Sequence, residues 1–115
     1  AGAFPTWLAP VQVKILPISE KYHDYAQKVQ AMLEKEGIKV EGDFRAEKIG
    51  YKIREARLQR IPYMLVIGQK EEEENKVSVR SREKGDEGIQ DLDSFINRIK
   101  EDIKDKKIAL QCIDN

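Results

Sequence analysis

Cysteine, histidine and tryptophan each occur once among the 115 residues. A lone cysteine, Cys112, excludes an intrachain disulfide, and its apolar surroundings (residues 108–113) mark it as a small hydrophobe rather than a reactive thiol. Neither Cys112 nor His23 has a partner at metal-ligand spacing, so a metal centre is not expected. A hydrolytic nucleophile would need a positioned base, and His23 falls on the polar side of its predicted helix. The glycines match neither the Walker phosphate loop nor the dinucleotide fingerprint. Net charge is also missing: Lys plus Arg and Asp plus Glu are 21 each. That balance removes the long-range positive field behind sequence-indifferent nucleic-acid binding, so any RNA contact has to be local. No apolar run approaches the ~20 residues that cross a bilayer, and no charged-then-apolar leader opens the chain. A cytoplasmic location is expected, without a membrane partner. The first residue is not methionine, and the chain is expected to be an excised part of a longer protein.

Hydrophobic residues make up 40% and charged residues 37%, enough for one charged-surfaced domain around a modest core. Val11 to Pro17 is an almost continuous apolar run, as in a strand covered on both faces. Tyr22, Tyr25, Ala26, Val29, Met32 and Leu33 recur at helical spacing between Ser19, a suitable N-cap, and Gly37, a suitable terminator. Ile38 and Val40 alternate with Lys39 and Glu41 as a short strand beside the first, and Asp43 to Arg45 reads as a loop. Ile49, Ile53 and Ala56 then predict an amphipathic helix over 47–59, with Lys48, Lys52, Glu55 and Gln59 turned the other way. Tyr63 to Ile67 is a central buried strand after Pro62. Residues 69–76, with four consecutive glutamates, read as a hairpin turn into the alternating strand Val77 to Arg80. A glycine-containing turn over 84–88 leads to a last helix carrying Leu92, Phe95, Ile96, Ile99 and Ile103, capped by Asp91 and fraying over 104–107. The order βαβαββα predicts an α/β fold: a mixed, mainly parallel sheet of four to five strands flanked by three helices.

The chemistry left is local charge. Arg45, Lys48 and Lys52 gather near the start of the second helix, and Arg80 and Arg82 alternate on the late strand. Composition alone favours solvated faces for these residues, and a solvated turn for Glu71 to Glu74.

Three strings change that balance. Phe4-Pro5-Thr6-Trp7-Leu8-Ala9-Pro10-Val11-Gln12-Val13 resembles the junction at which the catalytic domain of bacterial-type threonyl-tRNA synthetases passes into the anticodon-binding domain. Glu47-Lys48-Ile49-Gly50-Tyr51-Lys52-Ile53-Arg54-Glu55-Ala56 and Ile61-Pro62-Tyr63-Met64-Leu65-Val66-Ile67-Gly68 follow in the family's order and spacing, and similarity continues through Val77 to Arg82 to about Ile103. The resemblance implies junction residues at 1–10, an anticodon-binding domain at 11–106 and a tail at 107–115.

What the resemblance implies is recognition of the anticodon loop of threonine tRNA, at its guanine and uracil letters, by a domain without a catalytic centre. Carried over by position, Glu71 and Arg80 contact the guanine, and Lys48, Lys52 and Arg54, assisted by Arg45, contact the RNA backbone. A carboxylate accepts from guanine N1–H and N2–H, and a guanidinium donates to its acceptor edge. Composition offers a cross-strand ion pair between Glu71 and Arg80 instead. Ala46 departs from the base-contacting asparagine common in bacterial relatives, and a methyl group replaces neither its donors nor its acceptor. The parent is expected to be an ATP-dependent ligase, homodimeric through a catalytic domain that also holds zinc and magnesium-ATP; the fragment is expected to be a cofactor-free monomer. Two alternatives stand: a synthetase-like paralogue reusing the domain as a protein-binding or regulatory module, and the related prolyl-tRNA synthetase domain.

Overall fold

The computed structural model describes residues 11–82 and 84–101. The opening string up to Pro10, Ile103, the fraying segment 104–107 and the Cys112 patch lie outside the described residues.

Five strands form one sheet in the order β2-β1-β3-β4-β5. Strand β1 (Val13–Pro17) is buried along its whole length because it lies between β2 and β3 and is covered on both faces. Its one charged residue, Lys14, reaches Glu41 on β2. The Ser19 hydroxyl accepts from the Lys21 N–H at 3.4 Å, nucleating a 3-10 turn (Glu20–Tyr22) that leads into α1 (His23–Lys35). Tyr25, Ala26, Val29 and Leu33 form the buried stripe of α1. Gly37, at φ 80°, turns the chain out of the helix in a conformation that only glycine adopts cheaply. Strand β2 (Val40–Gly42) then runs parallel to β1, two residues later than the alternation from Ile38 predicts.

Helix α2 (Ile49–Leu58) crosses the opposite face and delivers β3 (Tyr63–Ile67), parallel to β1 on its other side. The chain thus leaves β1 towards one neighbour through α1 and returns to the other through α2. In doubly wound sheets that reversal opens a crevice at the strands' carboxyl ends.

Two expectations about the second half change. Residues 69–74 form a six-residue helix, α3 (Gln69–Glu74), where the glutamate run suggested a turn. The Glu71 carboxylate accepts the Gly68 N–H at 2.7 Å, and acidic residues in the first turn suit the helix's positive end. Asn75, left-handed at φ 55°, ends α3 and starts β4 (Lys76–Ser81), antiparallel to β3. The expected glycine-containing turn is a fifth strand, β5 (Gly85–Asp91), antiparallel to β4. Gly85 and Gly88 take positive φ there, and the register shifts at Val79/Arg80, so the glycines allow an irregular edge strand. The sheet is mixed, with two parallel and two antiparallel pairings. Residues 92–101 are helical and are called α4; with α3, the described residues contain one more α-helix than expected.

The larger core lies between the sheet and the α1 and α4 side, around Ile15, Leu33, Leu65, Val79 and Phe95. The smaller one joins Leu16 and Met64 to Ala56 of α2 and to Ile61. Phe95 is fully buried and meets Tyr63 edge-on at 5.5 Å. Phe95→Ala is expected to lower the unfolding free energy by about 3–5 kcal/mol in urea denaturation, whereas truncating the exposed Leu58 should cost little.

Candidate RNA interface

Helix α2 packs on β1 and the start of β3 and leaves the outer face of β4 and β5 partly open. Ser78 and Arg80 of β4 point to that face, opposite Val77 and Val79 in the core. Val66 is half-buried and Ile89 is 39% exposed beside them. Helical spacing sets Gly50, Arg54 and Arg57 along one flank of α2, and Arg57 shares a cavity with Arg80, so that flank faces β4. The other flank carries Glu55, bound to Arg45. A Cβ on Gly50 would meet nothing within 4 Å, so no packing contact within the domain requires a glycine there. A groove with one wall on α2 and the other on β4 results.

The predicted cations occupy different environments. Lys52 is 2% exposed, and its ammonium donates to the carbonyls of Pro17 and Asp43, each at 3.1 Å. This corrects the sequence expectation of a polar-face, phosphate-contacting lysine: the side chain turns inward, where two carbonyls and the Asp43 carboxylate stabilise its charge. Burial lowers its pKa against the opposing pull of Asp43. Arg45 grips Asp43 through two hydrogen bonds of 2.9 and 2.8 Å, reaches Glu55 at 3.1 Å and lies over the Tyr51 ring at 5.7 Å. Those contacts occupy it on the far flank of α2. Lys48, the N-cap of α2, and Arg54 are exposed, as is Ala46.

Glu71 is nearly buried, with one oxygen committed to the Gly68 N–H. Arg80 is half-buried and lies 3.7 Å from Asp86, beyond hydrogen-bond length. No ion pair joins Glu71 to Arg80 among the described residues. Arg80 stands opposite Met64, and four strand residues, ~13 Å, separate Met64 from Gly68. Sequence reasoning missed Arg57 and Arg60; the i, i+4, i+7 spacing of Gly50, Arg54 and Arg57 was the available signal for the first.

Among the described residues, no group of three or more His, Cys, Asp or Glu side chains converges to hold a metal ion. No helix among the described residues is long and apolar enough to cross a membrane.

A half-open mixed sheet with a reversal between β1 and β3 and cations around one groove defines an α/β module with a cationic groove. The chain belongs to the anticodon-binding domain family, whose model matches residues 12–102. It is 61% identical over 107 residues to the threonine–tRNA ligase of Clostridium botulinum (strain Eklund 17B / Type B), covering 93% of this chain and 17% of that protein. The chain thus spans about a sixth of that relative's length. The RNA-binding domain of threonyl-tRNA synthetase from Cryptosporidium parvum Iowa II superposes with a TM-score of 0.82 at 40% identity, over 87% of this chain and 25% of that one. Prolyl-tRNA synthetase from Cryptosporidium parvum shares the fold, with a TM-score of 0.80 at 23% identity over 90% of this chain and 22% of that one.

Arg45 hydrogen bonds hold the Asp43 carboxyl below its ordinary pKa of 3.8, and Arg98 does the same for Glu87, ordinarily at 4.5. A carboxylate with a depressed folded-state pKa contributes stability above its unfolded value, and that contribution is lost as pH falls through the folded one. Urea midpoints measured from pH 6 downwards should therefore fall less steeply below about pH 4 for Asp43→Asn than for the parent chain. Equal slopes would show that the Asp43–Arg45 pair contributes nothing to acid sensitivity.

Proposed function

We propose that this domain binds the anticodon loop of threonine tRNA, as the recognition part of a cytoplasmic, homodimeric ligase that joins threonine to its tRNA using ATP. The observation that carries the proposal is the close likeness to threonine–tRNA ligases over nearly the whole chain, together with an open groove ending at Arg80. Zinc and magnesium-ATP belong, on this reading, to the remainder of the longer protein, while residues 11–106 fold as the anticodon-binding unit and act as a monomer.

The recognition chemistry follows from the two polar groups. Glu71 uses one oxygen to cap α3 and keeps the other to accept from guanine N1–H and N2–H. The Arg80 guanidinium, loosely held by Asp86, swings to the acceptor edge of a base lying in the groove. The ~13 Å between their strand positions is bridged by the arginine side chain and a purine together. Lys48 and Arg54 steer the loop through its phosphates, whereas Lys52 and Arg45 hold the loop before α2 in place. Ala46 offers no hydrogen bond, so the letter an asparagine would read is recognised through backbone or water.

Titration of the 115-residue chain with a threonine-tRNA anticodon stem-loop, and with loops altered at the guanine or uracil, tests the reading. Arg80→Ala and Glu71→Gln should each weaken the cognate loop by about 1–3 kcal/mol and flatten the preference; the glutamine keeps a carbonyl for the cap but loses the charge. Equal affinity of the parent chain for every loop would overturn base readout and favour the reused-module alternative. Gly50→Ala offers an independent measurement: it should leave thermal stability unchanged or slightly raised, by up to ~1 kcal/mol, yet weaken RNA binding by narrowing the groove.

A further inference from the structure

At the end of the groove nearest the start of β3, four arginines from three segments converge. Arg57 lies in the last turn of α2, Arg60 in the loop behind it, and Arg80 and Arg82 at the end of β4 and just beyond. They line a shallow cavity of about 190 Å³ floored by Ile61 and Met64, both nearly buried. Among the described residues, the only carboxylate within salt-bridge distance of any of the four is Asp86, 3.7 Å from Arg80 at the rim. Arg82 donates to the Arg60 carbonyl at 3.0 Å, which fixes that loop while leaving its remaining donors available.

This concentration needs an explanation, because the chain carries no net charge and like charges gathered at one spot repel. Arginines near a helix C-terminus complement the negative end of the dipole, which accounts for Arg57 and Arg60. It does not account for Arg80 and Arg82, which another segment brings to the same cavity. An anion bridging all four would offset their repulsion, and the planar guanidinium fork matches the geometry of phosphate oxygens.

We propose that the Arg57–Arg60–Arg80–Arg82 cavity is a phosphodiester clamp that holds the RNA backbone next to the base read by Arg80. The proposal rests on the RNA-binding reading above and moves the main backbone contact from the start of α2 to its C-terminal end. That shift agrees with the side chains: Lys52 is buried and Arg45 is paired, whereas Arg57 and Arg60 are exposed. The clamp carries no sequence information; it sets the register in which the loop is presented.

The test is the salt dependence of binding, for cognate and base-altered stem-loops, with the 115-residue chain, its Arg57→Gln/Arg60→Gln double variant and a Lys21→Gln/Lys35→Gln control of equal charge change. Both altered arginines are exposed, so unchanged thermal unfolding is expected and confirms that the fold is intact. The arginine variant should lose affinity for every loop by a common factor, on the order of tenfold, and lower the slope of log K against log salt by ~0.7 for each phosphate that is no longer neutralised. The ratio between cognate and altered loops should persist, and the lysine control should change neither quantity by as much. An unchanged slope, or a loss matched by the lysine control, overturns the clamp even if base preference is intact. Loops that all bind alike to the parent chain, with the slope still dropping in the arginine variant, would leave the clamp standing and remove the base reader instead. No binding of any loop by the parent chain would remove both.

Discussion

The buried ammonium of Lys52 ties together the three segments that meet at the carboxyl end of the sheet. Its two bonds run to the last residue of β1 and to the loop after β2, while its own backbone belongs to the first turns of α2. Burying a lysine costs several kcal/mol unless its donors are satisfied, so the contact tolerates little movement of any partner. The Asp43 N–H donating to Ile15 at 2.9 Å, and the Asp43–Arg45 fork, extend the same node outward. With the loop before α2 held in this way, the helix lies over β1 and the start of β3 rather than across the middle of the sheet.

The groove is a consequence of that placement. Crossovers of opposite direction, from β1 to β2 and from β2 to β3, place α1 on one face and α2 on the other, and among the described residues only α2 covers the second face. The outer surface of β4 and β5 therefore stays accessible, with Ser78, Arg80 and Asp86 facing it beside the exposed Ile89. The same arrangement reconciles a chain of zero net charge with binding to a polyanion. Glu71 to Glu74 lie on α3, Glu55 is on the far flank of α2, and Glu87 of β5 is paired with Arg98 of α4, apart from the four groove arginines. A small, local field gives weaker long-range attraction than a basic surface does, and leaves more of the discrimination to short-range hydrogen bonds.

In the proposed reading, Glu71 joins fold and recognition. The carboxylate that closes the first turn of α3 is also the group proposed to meet a base, and its position is set by a backbone N–H rather than by a flexible side chain in solvent. Preorganisation of this kind lowers the entropy lost on binding. Arg80, by contrast, is placed by strand register, and among the described residues the one carboxylate within salt-bridge distance of it is Asp86 at the rim.

The amino-acid sequence by itself determined the elements with strong periodicity: the doubly covered β1, the stripe of α1, the apolar run of β3 and the pattern of α4. In each, apolar spacing alone identifies the element, because burying that surface outweighs any local preference of the chain. It also carried the family's strings and, through them, the proposal that Glu71 and Arg80 meet the RNA. Tertiary structure alone decided the rest. Residues 85–91 carry turn-forming glycines and little apolar pattern, and become a strand because β4 presents a free edge with which they can pair. Residues 69–74 become a helix because Gly68 and Asn75 cap a glutamate run whose local signal was equally that of a turn. Lys52 lies inward, against its apparent place on the polar face, because two carbonyls from distant segments and a carboxylate converge on it. The gathering of Arg57, Arg60, Arg80 and Arg82 was likewise invisible in one dimension, since a shared cavity depends on the distance between segments in space and not on their separation along the chain.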